Sequence, residues 1–305
     1  MTDRGPLGEL HPFLKLLLLG MLSLAGLLVV VFLGLLLSMP FVGTDILKQL
    51  SALNEHINML RYVQLLSHLG LFIVPAFVFA FLVHRKPLQY YRAASVPSFK
   101  MLIPAALIIV AVVPLVFNLT QINQQLSLPE SLSGLEDWMR RTEDETERVM
   151  ERFLNVTSIQ AYLFNILLIA VIPGIGEELI FRGAMQRIFR QWTGSAHVAV
   201  IVTAIIFSAI HFQFFSFLPR LLLGIMLGYM FVISGNIWVP VFAHFFNNAM
   251  AVTMYYIAYN SEGLDQEALT GSFFPAVLVI ISALLVGALF FFMKRQKDKA
   301  PQHLQ

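Results

Sequence analysis

Three short stretches carry the residue types that hydrolytic chemistry needs. The first is Pro173-Gly-Ile-Gly-Glu-Glu-Leu-Ile-Phe-Arg182, which directly follows the apolar run from Tyr162 to Ile172. It sets Glu177, Glu178 and Arg182 at or near bilayer depth, where ionisable groups are costly and functional by default. The other two bring histidines: Phe207-Ser-Ala-Ile-His211 and His244-Phe-Phe-Asn-Asn248. Residues four apart share a helix face, so Glu178 is offered Arg182 as a partner. Glu177 projects about 100° away on the same helix and is left without a cation. It is the candidate general base for a water molecule, with Glu178 and Arg182 as a supporting pair. By the same spacing Phe207 pairs with His211, and His244 with Asn248.

These groups suffice for amide hydrolysis by water. A glutamate takes the proton, a histidine orients the water or protonates the leaving nitrogen, and His244 with Asn248 offers donors to the oxyanion, an interaction worth several kcal/mol of barrier. No serine, threonine or cysteine nucleophile is needed. The same side chains allow a second version, because Glu177, His211 and His244 would make a common zinc set with a position open for water. The helical H-E-x-x-H spacing is absent. A divalent metal such as zinc and a metal-free mechanism both fit this spacing. A lone membrane histidine is more often a polar bridge between helices, and His68, His84 and His197 are read that way.

The elements that must position these residues follow from composition. Of 305 residues, 58% are hydrophobic and 12% charged, and the mean hydropathy is +0.76. Soluble domains carry about 25% charged residues. The chain reads as an all-α, multi-pass integral membrane protein. Its net charge of +2 points to no nucleic-acid partner, and the absence of cysteine excludes disulfides and thiolate chemistry. The first apolar run, Leu16 to Ser38, is too long for a signal-peptide core and lacks a small-x-small cleavage site after it. Further runs able to cross roughly 30 Å of hydrocarbon lie at Leu65 to Val83, Met101 to Leu119, Ile159 to Leu179, Val198 to Phe217, Leu221 to Ile233, Ile237 to Tyr256 and Phe273 to Met293. About eight transmembrane helices are expected, with Leu221 to Ile233 the shortest.

Charge orients them, since Lys and Arg collect on the cytoplasmic side. Arg85, Lys86, Arg92 and Lys100, then Arg182, Arg187 and Arg190, then Lys294, Arg295, Lys297 and Lys299 all fall inside if both termini are cytoplasmic. Glu262, Asp265 and Glu267 then fall outside. Trp138, Glu145, Val149 and Phe153 recur at helical spacing in the polar segment 121–157. They imply an amphipathic helix on the outer surface or continuing into the fourth span, as a solvated connector or a substrate-guiding lid. The expected organisation is 1–120 for the first three spans, 121–157 for this extracytoplasmic connector, 158–260 for the core that holds the site, and 261–305 for the last span and a basic cytoplasmic tail.

In this order, on successive spans, Glu177-Glu178-Leu-Ile-Phe-Arg182-Gly183, Phe207-x-x-x-His211 and His244-x-x-x-Asn248 resemble the CAAX protease and bacteriocin-processing (CPBP, or Abi) family of intramembrane endopeptidases. The likeness covers roughly Ile159 to Tyr259. It implies an eight-helix bundle and a membrane-associated peptide or protein substrate, with the bacterial inner membrane as the location. It also implies that Glu177 activates water with help from His211, that His244 and Asn248 hold the oxyanion, and that Phe207 shapes the cavity wall. The family is often labelled metalloprotease, and a glutamate mechanism without metal has been proposed for it. Two other readings of the buried polar groups remain: an ion or proton path in a transporter, and a catalytically silent immunity or scaffold protein.

Overall fold

The computed structural model describes residues 4–42, 45–53, 56–261 and 273–298. Among them every regular element is a helix, as lipid requires of a chain that must satisfy its backbone polar groups within each span. Glu262, Asp265, Glu267 and Lys299, part of the charge argument for orientation, lie outside the described residues.

The helices follow the apolar runs. They are α1 (Pro12–Val42), α2 (Ile57–His84), α3 (Phe99–Ala111), α4 (Val113–Gln124), the amphipathic α5 (Ser133–Leu154), α6 (Ile159–Thr193), α7 (Ala196–Ala209), α8 (Phe217–Ser234), α9 (Trp238–Asn260) and α10 (Ala276–Asp298). Helices α3 and α4 form one rod bent by 42°, with Pro114 in the first turn of α4, where proline is tolerated but cannot continue the preceding helix. Among the described residues five helices are long and apolar enough to cross a membrane, or six with the bent pair as one span. The other two rods explain why eight is only approximate. Helix α7 has 14 residues, about 21 Å against a hydrocarbon core of about 30 Å. Helix α9 is long enough at 23 residues, but its histidine, asparagines and tyrosines lower its apolarity. The expected short span, Leu221 to Ile233, belongs to a full-length helix instead. The run from Val198 to Phe217 is the one cut short: Phe212 adopts a left-handed conformation, φ 52°, and the chain turns there. His211 therefore sits on the turn after α7 and not within a longer helix.

Two buried clusters hold the bundle. One joins α1, α2 and α6 through Leu19, Phe72, Phe79 and Phe181, with Phe207 and Phe231 from α7 and α8. The other joins α3, α8, α9 and α10 through Ile108, Met230, Val239 and Met293. Side chains such as Leu28, Phe41 and Leu284 are exposed, as lipid-facing positions are. Polar contacts also tie the helices at the two ends of the bundle. At one end Lys297 Nζ donates to the Val232 carbonyl and Arg187 lies over the Tyr90 ring. At the other, Tyr255 Oη donates to Asn155 and Tyr256 Oη to the Thr157 carbonyl.

Helices α1 and α2 cross at Gly26 and Gly70. A Cβ on Gly26 would lie 2.3 Å from the Gly70 carbonyl oxygen, and one on Gly70 would lie 2.6 Å from that of Gly26, a reciprocal small-residue contact of the kind that lets membrane helices approach. Gly70 also lies in the π-helical turn Leu69–Ile73 in α2. Gly70→Val is expected to destabilise the bundle by about 1–3 kcal/mol through overpacking, read as a lowered thermal midpoint in detergent. Gly20→Val, at a position where a Cβ meets nothing within 4 Å, should leave the midpoint unchanged.

Candidate active site

Helix α6 carries the acidic motif between two π-helical turns, Ile166–Val171 and Leu179–Met185, that flank Ile172–Glu178. Such turns shift the helical register and are frequent at functional sites. The glycines of the motif let two neighbours come close. A Cβ on Gly174 would sit 3.2 Å from the Phe245 backbone nitrogen in α9, and one on Gly176 would sit 2.9 Å from Phe72 Cβ in α2. Each approach delivers a histidine. Helix α9 brings His244, and α2 brings His68.

Glu178 and Arg182 pair as their spacing predicts, with Nη1 donating to Oε1 at 2.8 Å. Both are completely buried. The second Arg182 amino group donates to the Gly224 carbonyl of α8 at 3.2 Å, and the guanidinium stands 4.5 Å over the Phe207 ring. The same Glu178 oxygen is 2.8 Å from Nδ1 of His244. A carboxylate bonded to arginine only accepts, so Nδ1 of His244 carries the proton and the ring is held by its back edge. Its Nε2 then faces Glu177 Oε2 at 4.0 Å. Oε1 of Glu177 lies 3.9 Å from Nε2 of His68, whose own Nδ1 is 3.2 Å from the Gln64 side chain.

Glu177, Phe207, His211, His244 and Asn248 all line one cavity of about 490 Å³. Glu178 and Arg182 stand behind it. His211 Nδ1 is 2.7 Å from the Phe207 carbonyl oxygen, which can only accept, so this ring too is protonated at Nδ1 and leaves Nε2 for the cavity. Phe207 packs edge-on against both imidazoles, with ring centres 5.1 Å from His211 and 6.0 Å from His244. Asn248 Nδ2 donates to the Ile169 carbonyl within the first π-helical turn at 3.0 Å, and the amide keeps a second N–H. The far wall is apolar, with Val112, Val116 and Leu223. Met150 and Leu154 of α5 and Tyr255 of α9 also line the cavity, alongside Gln213, Ser216 and Arg220.

Three polar residues of this site escape a reading by helix spacing. His68, read above as a bridging histidine, stands beside Glu177; the available signal is its i,i+4 companion Gln64. Arg220 is an arginine inside an apolar stretch, with Nη1 buried and unpartnered. Asn247 donates to Asn248 Oδ1 at 3.0 Å. His84 and His197 stay apart from the site: His197 Nδ1 is 2.7 Å from Tyr229 Oη, and His84 packs on Tyr90.

Glu177, His211 and His244 line one cavity but are not drawn together as the ligands of an ion. Among the described residues no three His, Asp or Glu side chains are disposed to hold an ion. His244 Nε2 is 4.0 Å from Oε2 of Glu177, and both imidazoles have Nδ1 held by an oxygen acceptor and Nε2 free, an arrangement that metal-ligating histidines also use. No step is derived through a metal.

Residues 159–250 match the family model for the type II CAAX prenyl endopeptidase Rce1-like proteins. Over 106 residues the chain is 32% identical to uncharacterized protein YpbD of Bacillus subtilis (strain 168), covering 33% of this chain and 49% of that protein. The chain thus spans about half the length of the curated relative it matches. No solved structure matches it. The cavity's motif residues all fall inside the matched segment, which is similar to the Rce1-like type II CAAX prenyl endopeptidases, in keeping with the CPBP family its motifs resemble.

Proposed function

We propose that the protein is an intramembrane endopeptidase that hydrolyses a peptide bond with a water activated by Glu177. The reading rests on one observation above all: the Glu177 carboxylate and the histidines His211 and His244, carried on three different elements, share one cavity with Asn248. Glu177 accepts a proton from water, and the resulting hydroxide attacks the carbonyl carbon of a peptide laid against the apolar wall. His211, turned so that Nε2 faces the cavity, orients that water. The developing oxyanion takes the free N–H of Asn248 and, when His244 carries a second proton, its Nε2–H. Collapse of the tetrahedral intermediate breaks the C–N bond, and the proton held by Glu177 passes to the leaving nitrogen. Glu178 and Arg182 hold His244 in the required tautomer and do not meet substrate.

In detergent, with a fluorogenic peptide library as substrate, Glu177→Gln and His244→Ala are each expected to lower turnover by about 10²–10⁴-fold, the range for a lost proton-transfer group. Asn248→Ala should cost about 10²–10³-fold, as for a lost oxyanion donor. Turnover should survive a chelator such as EDTA. Cleavage equal in wild type and all three variants would remove the proposal; loss of activity on chelation, restored by zinc, would replace water activation by glutamate with a metal route.

The direction of approach follows from the cavity's shape. Its lining includes Met150 and Leu154 of α5 and Tyr255 toward the end of α9, and none of Arg92, Arg187 and Arg190, which line a separate cavity. With basic loops on the cytoplasmic side, the cavity opens extracytoplasmically. The chain has no cysteine, so single replacements report cleanly. Met150→Cys is expected to react with a membrane-impermeant maleimide in intact cells, and Arg190→Cys only after permeabilisation; the opposite pattern would reverse the direction.

A further inference from the structure

At the end of the bundle away from the catalytic cavity lies a second one, of about 350 Å³, lined by Arg92, Arg187, Arg190, Gln186 and Gln191 with Ala196 at the start of α7. No aspartate or glutamate lines it, and among the described residues no carboxylate pairs with any of its three arginines. Three guanidinium groups facing one space without a counter-ion repel one another.

Their placement is specific. Arg187 is fixed by stacking 4.4 Å over the Tyr90 ring, yet its Nη1 is buried with no hydrogen-bond partner, and a buried unpaired donor is costly. Arg92 sits in the left-handed region at φ 54°, a conformation that costs a non-glycine residue energy and is retained where surrounding structure demands it. The α7 N-terminus adds its partial positive charge beside them.

The depth of the site is marked by aromatic residues. Trp192 is next to Gln191 in the chain, is 46% exposed, and packs edge-on against His11 and Phe13. Trp238, at the start of α9, is also part-exposed and donates to the Ala93 carbonyl. Exposed tryptophans at helix ends mark the headgroup layer of a bilayer. Basic pockets between helices at that level suit anionic headgroups.

We infer that Arg92, Arg187 and Arg190 form a phosphate-binding site at the membrane surface, filled by the phosphodiester of an anionic lipid. Guanidinium groups hold phosphate oxygens bidentately, and one such group would partner the idle Nη1 of Arg187. The site is independent of the peptidase reading.

The test uses the full chain in nanodiscs of phosphatidylcholine doped with phosphatidylglycerol, with lipid binding counted by native mass spectrometry. Saturable retention of phosphatidylglycerol over phosphatidylcholine is expected, weakened roughly tenfold or more in Arg187→Gln/Arg190→Gln, since each arginine near the surface contributes about a fivefold effect. Arg141→Gln/Arg148→Gln, on α5, should bind as wild type. If the double variant does not fold, Arg190→Gln alone, at an exposed position, gives the same readout with a smaller loss. Inorganic phosphate that competes fully with the lipid would keep the site and make its ligand a free phosphate. No preference for phosphatidylglycerol, or equal retention in the arginine variants, overturns the inference.

Discussion

The structure turns on a buried relay of charge from Arg182 through Glu178 to His244. Its members come from two helices, α6 and α9, and the arginine reaches a third, α8, through the Gly224 carbonyl. Removing such charges from water costs several kcal/mol per ion, and their mutual attraction repays it only with good geometry and further hydrogen bonds. Here the compensation is incomplete, because Glu178 Oε2 and Arg182 Nε are buried without partners. A cluster that served stability alone would be better replaced by apolar packing. This one orients an imidazole that lines the cavity.

The relay also explains the division of labour between adjacent glutamates. Glu178 is turned into the protein and consumed by fixed donors. Glu177, one residue earlier and about 100° round the helix, faces the cavity with two imidazole nitrogens at 3.9 and 4.0 Å. These distances exceed direct hydrogen bonds and suit groups that meet through a small molecule between them. Glycines at 174 and 176 are as necessary as the charges, since a side chain there would push α9 and α2 away and take His244 and His68 with them.

The amphipathic helix α5 belongs to this arrangement. Phe153 is buried, while Met150 and Leu154 line the cavity. Glu143 accepts from the Phe215 backbone N–H and the Ser216 hydroxyl at 2.7 and 2.6 Å, tying the helix to the turn that leads from His211 into α8. Arg140 stacks 4.1 Å over Phe215 in the same region. The surface of α5 that meets the bundle is thus anchored beside the turn that carries His211, and its exposed face carries the charges that mark it in sequence.

Much was legible from the chain alone. Hydropathy located the five helices, or six with the bent pair, that are long and apolar enough to cross a membrane among the described residues, because lipid admits few other solutions for an apolar run; the expected eight was approximate. Spacing of four residues identified the Glu178–Arg182 pair and grouped Phe207 with His211 and His244 with Asn248, since i,i+4 neighbourhood is a property of the helix itself. What spacing could not supply was any relation between helices. That His68 stands beside Glu177, that His211 occupies a turn at the end of a 14-residue helix, and that Arg92 meets Arg187 and Arg190 at one pocket all depend on how rods pack. Packing angles and depths arise from close approaches such as Gly174 to Phe245 and Gly26 to Gly70, whose partners lie tens of residues apart. Local chemistry is written in neighbouring residues; the site is made where separate helices meet, and only the tertiary structure decides where that is.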